Sequence, residues 1–224
     1  MAQLQGLFLD FYGTVVGGDR LAVESACQAV VDRHRLSLTA AELAVRWGHA
    51  YFRVIETPNG DRFRSLVEIE RDTLVETVEP FVGPIDPEPY VAILQDYLAN
   101  PPLCPEVQDV LKHRNLPICI VSNADDREIH KALQIHDLRF EFVVTSESAR
   151  SYKPDRGIFE TALRLTGWRP DGVIHIGDSL HSDVGGARAA GLKAVWVCRE
   201  DRISDIGCER PDQTWTDLCP IVSL

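Results

Sequence analysis

The stretch FLDFYGTVV, Phe8 to Val16, decides how this chain folds. An apolar run from Gln5 ends abruptly at Asp10 and passes into the turn-forming residues of FYGT. Such a run, too short for a helix, reads as a buried strand feeding a polar loop. The same grammar recurs downstream. Pro117 to Val121 is an apolar strand that ends at Ser122 and Asn123. Phe142 to Thr145 is a strand with Lys153 beyond it, Val173 to Ile176 a strand that ends before Asp178, and Ala194 to Val197 a last strand. Helical patterns separate them at Glu88 to Ala99, Glu106 to Arg114, Arg127 to Gln134, Asp155 to Leu165 and Ser182 to Ala190. Strands alternating with helices imply right-handed crossovers and a parallel sheet, hence an α/β fold: a Rossmann-like core of three layers. Ligands of such sheets sit beyond the carboxyl ends of the strands, where Asp10, Ser122–Asn123 and Asp178 all fall.

Between the first strand and residue 86 the texture is purely helical. Asp19 is positioned to cap the helix LAVESACQAVVDRHRL. Thr39 and Glu42 form a capping-box pattern ahead of ELAVRWGHAYFRVIE, which Pro58, Asn59 and Gly60 break. Phe63 to Val78 is a third amphipathic helix, and Pro80, Gly83, Pro84 and Pro87 mark a boundary. The spacing predicts a core of residues 1–15 and 87–224, with an all-helical cap of residues 16–86 inserted.

Composition narrows the partners. The 224 residues carry a net charge of −11, which disfavours nucleic acid and anionic membrane surfaces. No apolar stretch reaches the roughly 18 residues of a membrane span, and MAQLQGLFLDF lacks the basic start of a signal peptide. Cysteines at 27, 104, 119, 198, 208 and 219 form no CxxC pair, which indicates neither a zinc knuckle nor a redox motif, and Cys119 and Cys198, in apolar runs, read as buried thiols in a reducing compartment. The expectation is a cytoplasmic monomer or homodimer acting on a small anionic molecule, which a pocket cation would help an acidic protein to bind.

Four segments, in order, carry a resemblance: FLDFYGTVV around Asp10, IVSNAD around Ser122, SYKPDRGIF around Lys153, and HIGDSLHSDVGGARAAG around Asp178 and Asp183. Together they resemble the motifs of the haloacid dehalogenase superfamily of hydrolases, over nearly the whole chain. The resemblance implies that Asp10 is a nucleophile that forms a covalent intermediate. Lys153 would offset its charge. Gly13, Thr14, Ser122 and Asn123 would bind substrate. Asp178 and Asp183 supply oxygens of the kind Mg²⁺ prefers. By resemblance to the superfamily's phosphatases, Mg²⁺ would be held by Asp10, the Tyr12 carbonyl, Asp178 and Asp183.

Tyr12 departs from that phosphatase pattern, which has a second aspartate there as general acid and base. A tyrosine of ordinary pKa near 10 is a poor base at neutral pH. The tyrosine resembles the L-2-haloacid dehalogenases, whose halide leaves without a proton. The GDS aspartate points the other way, because those dehalogenases work without metal. Asp10, Asp178 and Asp183 against Lys153 leave two net negative charges, which Mg²⁺ would neutralise. The dehalogenase pattern also has a tyrosine shortly after the lysine, where this chain has Phe159, and a cap arginine, for which Arg46 is the candidate. The reading is a Mg²⁺-dependent hydrolase of a small phosphorylated metabolite, working through an aspartyl-phosphate with Asp10, Tyr12 and Lys153 as its catalytic set. The alternatives are a 2-haloacid dehalogenase working through an aspartyl ester, and a catalytically impaired protein that binds phosphate and Mg²⁺. His181 and His49 read as ordinary histidines, and Trp47, Tyr51 and Phe52 as packing within the cap.

Overall fold

The structure is a computed structural model that describes residues 3–57, 60–199 and 209–224. Strands β1 (Gly6–Leu9), β2 (Ile118–Ser122), β3 (Phe142–Thr145), β4 (Val173–Gly177), β5 (Lys193–Val197) and β6 (Gln213–Trp215) form one sheet in the order β3-β2-β1-β4-β5-β6. Every neighbouring pair is parallel. β1, β2 and β4 are buried along their whole length. This is why they read as unbroken apolar runs: helices cover both faces. Alternation sends Leu7, Leu9, Ile118, Ile120 and Ile176 to one face and Phe8, Cys119, Val121 and Val173 to the other. Helices α5 (Val107–His113) and α6 (Asp126–Ile135) pack on the first face, α8 (Arg156–Thr166) and α9 (Gly186–Ala189) on the second. A short α7 (Ser146–Ala149) follows β3. The α/β, Rossmann-like architecture is as the sequence implies.

β5 is not the last strand. β6 pairs beyond it, and three residues are too few to show a period of two.

The helical insertion holds α1 (Asp19–His34), α2 (Ala40–Ile55) and α3 (Leu66–Val82). The Thr39–Glu42 capping box is present. Asp19 is not the cap of α1: Gly18, at φ 87°, stands there, and Asp19 is the first helical residue. α3 begins at its own capping box, Ser65 with Glu68, instead of at Phe63. It also runs through Pro80, whose missing N–H falls near the helix end, where it weakens only the last of the ladder. The expected helix break at Pro58 and Asn59, like Cys208, lies outside the described residues. Helix α4 (Glu88–Ala99), assigned from sequence to the core, buries Tyr90, Val91 and Leu94 with Ala26 and Val30 of α1, Trp47 of α2 and Leu74 of α3. Its packing also reaches α6, so α4 lies between the helical insertion and the sheet layer. No helix among the described residues is long and apolar enough to cross a membrane.

Candidate active site

From β1 the chain builds β2 and β3 to one side, then returns to β4 on the other. The crevice of such a sheet opens where the order reverses, beyond the carboxyl ends of β1 and β4. Asp10 directly follows β1, Asp178 directly follows β4, and Ser122 ends β2. With Lys153, from the loop after α7, they line one cavity of about 640 Å³. Arg20, Leu21 and Glu24 of α1 and Tyr51, Phe52 and Ile55 of α2 line it from the helical side. Tyr51 packs against the Ile55, Leu66 and Ile69 cluster as read, and both it and Phe52 also line the cavity. Trp47 packs as expected, donating from Nε1 to Thr73 at 3.0 Å.

Lys153 is the hub and is 2% exposed. Its Nζ donates to Asp10 Oδ1 at 2.6 Å, to Asp183 Oδ1 at 2.6 Å and to the Val121 carbonyl at 3.0 Å. Burial works to lower the Lys153 pKa, but Asp10 and Asp183 outweigh it and hold the ammonium charged. Asp183 is likewise held below the usual carboxylate range: burial opposes its charge, and Lys153 and His175 prevail. Burial pushes the Asp10 carboxyl up, and Lys153 opposes that shift. Asp10 Oδ2 is buried with no hydrogen-bond partner among the described residues.

Other sequence candidates divide. Asn123 locks the Lys153 backbone: its Oδ1 accepts from Lys153 N at 2.7 Å and its Nδ2 donates to the Lys153 carbonyl at 3.1 Å. Ser122 lines the cavity. Thr14 is fully buried and its hydroxyl donates to Asp178 Oδ1 at 3.3 Å. The Gly13 N–H is spent on the Val16 carbonyl at 2.7 Å, closing a turn in which Gly13 takes φ 91°. Gly13 lines the cavity, whereas Thr14 is not among its lining residues. The Tyr12 hydroxyl donates to the Leu98 carbonyl of α4 at 2.7 Å. Burial, with Glu128 next, pushes its pKa far up, so it neither donates towards the cavity nor ionises near neutrality. Arg46 is exposed and lies over the Phe81 ring at 5.6 Å, away from the cavity. His181 meets Glu56, at the end of α2, at 3.0 Å, and His49 is exposed.

Two residues escape the sequence reading. Arg199, on the loop after β5, lines the cavity and donates to the Thr14 carbonyl at 2.8 Å and to Glu106 Oε1 at 2.7 Å. Its place beyond a strand end was the available signal. His175 Nε2 lies 2.8 Å from Asp183 Oδ1. A histidine inside the apolar strand VIHIG was the signal there.

Asp10, Asp178 and Asp183 each bring a carboxylate oxygen within 4.8 Å of the others. Hard oxygen donors at that spacing, with one Asp10 oxygen lacking a partner among the described residues, fit a small divalent cation such as Mg²⁺.

Residues 4–191 match the haloacid dehalogenase-like hydrolases. The bovine haloacid dehalogenase-like hydrolase domain-containing protein 3 is 43% identical over 88 residues, 38% of this chain and 35% of that protein. The match thus takes in about a third of that relative's length. Haloacetate dehalogenase H-2 of a Moraxella species is 24% identical over 229 residues, covering 100% of this chain and 99% of that one. The phosphoserine phosphatase of Thermus thermophilus is 33% identical over 112 residues, 46% of this chain and 44% of its own. The L-2-haloacid dehalogenase of Xanthobacter autotrophicus superposes with a TM-score of 0.78 at 17% identity, over 99% of this chain and 98% of that one.

Proposed function

The chain belongs to the haloacid dehalogenase-like hydrolases, and on that premise we propose that it is a Mg²⁺-dependent hydrolase of a small phosphorylated metabolite. The observation that carries this reading is the charge arrangement. Lys153 pairs with buried Asp10 and Asp183, the buried Asp178 carboxylate lies beside them, and Asp10 Oδ2 has no partner among the described residues. A site for an anionic substrate needs further positive charge. Asp10, Asp178 and the Tyr12 carbonyl, with Asp183 nearby, would hold Mg²⁺. When bound, the ion supplies the charge neutralisation that lets a phosphate enter.

Asp10 attacks phosphorus through its unpaired oxygen, and the bond to the leaving oxygen breaks. The product is an aspartyl-phosphate, which water then cleaves to restore the carboxylate. Lys153 holds the attacking carboxylate in place through Oδ1. Ser122, which lines the cavity, contacts the transferring group, and Asn123 holds the Lys153 backbone beside it. Tyr12 supplies no proton to the leaving oxygen, because its hydroxyl is committed to Leu98. Substrates whose leaving group needs no proton are therefore favoured. The cavity, at about 640 Å³, lies in the range of sites for drug-sized ligands, which supports a metabolite over a two- or three-carbon acid.

A second reading is dehalogenation of a 2-haloacid by the same nucleophile. The Tyr12 loop supports it, since halide departs unprotonated, and so does the full-length likeness to the Moraxella haloacetate dehalogenase. Assays of phosphate esters and 2-haloacids, each with Mg²⁺ and with EDTA, separate the two. Phosphate release that EDTA abolishes is the expected result. Halide release undiminished in EDTA overturns it.

A further inference from the structure

We propose that His175 is a positioning residue of this site, whose Nε2–H holds Asp183 on the Lys153 ammonium. His175 sits in the middle of β4, between Phe8 of β1 and Ala194 of β5, and is fully buried. It belongs to the sheet face otherwise filled by Phe8, Cys119, Val121 and Val173, with its ring edge-on to Phe159 at 5.0 Å between centroids. Burying a polar ring on an apolar face carries a cost unless the ring is hydrogen-bonded. Nδ1 has no partner among the described residues, so Asp183 at 2.8 Å is what the ring is there to meet. A carboxylate only accepts, which assigns the proton to Nε2.

The consequence falls on Asp183. Its Oδ1 accepts from both Lys153 and His175, and its Oδ2 accepts from Ser179 N at 3.0 Å. Behind it Gly177 leaves the space: a Cβ there would lie 2.2 Å from Asp183 Cγ. Three donors and a close backbone contact keep this carboxylate aimed at Lys153. Asp183 then serves the lysine that orients the nucleophile, and Asp178 is the better carboxylate for a cation. Outer partners of this kind typically change metal affinity or activity by about 10- to 100-fold.

The kinetic arm rests on the phosphatase reading; the binding arm does not. His175→Leu removes the donor while keeping the burial, and His175→Gln returns an amide N–H at similar reach. Both are checked for folding by circular dichroism and thermal melting. With p-nitrophenyl phosphate, His175→Leu should lower kcat by about 10- to 100-fold with little change in KM, and His175→Gln should recover most of it. Calorimetry with Mg²⁺ alone should show binding by His175→Leu at least as tight as wild type, because Asp183 is released. Should His175→Leu fail to fold, Asp178→Asn and Asp183→Asn carry the binding arm, and the first should weaken Mg²⁺ far more than the second. A parallel loss of Mg²⁺ affinity and kcat in His175→Leu without rescue by glutamine, or equal weakening by the two asparagine variants, overturns the assignment. If the wild type turns over no phosphate ester, the functional reading fails while calorimetry still decides the role of His175.

Discussion

Glu70 offers the sharpest test of the interface between the helical insertion and the core. It lies on α3, 7% exposed, and its Oε2 accepts from Gln95 of α4 at 2.9 Å. Burial is the largest cause of its pKa rising from 4.5 to about 8, and Asp125 and Glu128 add to it. The carboxyl is thus protonated in the folded protein at neutral pH, whereas the unfolded chain ionises above about 4.5. The folded state then binds more protons between those values, so the stability this group confers is complete below about 4.5 and is lost as pH rises through about 8. At about 1.4 kcal/mol per pKa unit the ceiling is roughly 5 kcal/mol. Water penetration and local relaxation reduce it, so about 2 kcal/mol is expected, or roughly 4–8 °C in Tm for a chain of this size. Glu70→Gln removes the titration and keeps an acceptor for Gln95. Thermal melts from pH 5 to 9 should show the wild type losing stability towards pH 9 relative to the variant, with the two nearly equal at pH 5. Parallel Tm curves across that range would refute the buried, protonated acid.

Asp10→Asn should abolish turnover of every substrate while leaving the Tm within a few degrees; a folded variant with near-wild-type kcat would remove Asp10 as nucleophile. Tyr12→Phe should lose the bond to Leu98, costing about 1 kcal/mol of stability, and leave the ratio of alkyl to aryl phosphate turnover unchanged; a selective loss on alkyl phosphates would show the hydroxyl acting on the leaving group. Gly177→Ala should lower kcat at least about tenfold, because the added Cβ displaces Asp183 from Lys153; steady-state kinetics alongside a melt distinguish this from unfolding, and an unchanged kcat would refute it.

Five of the six strands, and the polar residues that close β1, β2 and β4, were legible in the sequence, while the short β6 was not. The runs at Gly6–Leu9, Ile118–Ser122 and Val173–Gly177 are apolar throughout because both faces of a parallel sheet are covered, and the polar residues that close them mark where a ligand binds. Asp10, Ser122, Lys153 and Asp178 were legible for that reason, and their convergence on one cavity follows from topology. Hydrogen-bond direction and helix partnership were not legible, because both depend on neighbours far along the chain. The Tyr12 hydroxyl turns to a carbonyl 86 residues away, and Asp125 caps the first turn of α3 from 59 and 58 residues away. α4 packs with α1 because Tyr90, Val91 and Leu94 match its apolar stripe, which no punctuation near Pro87 could reveal. Asp183 looked like a metal ligand by motif. Only the folded chain brings His175 and Lys153 against it, since the strand pleat alone decides which face of β4 a histidine occupies.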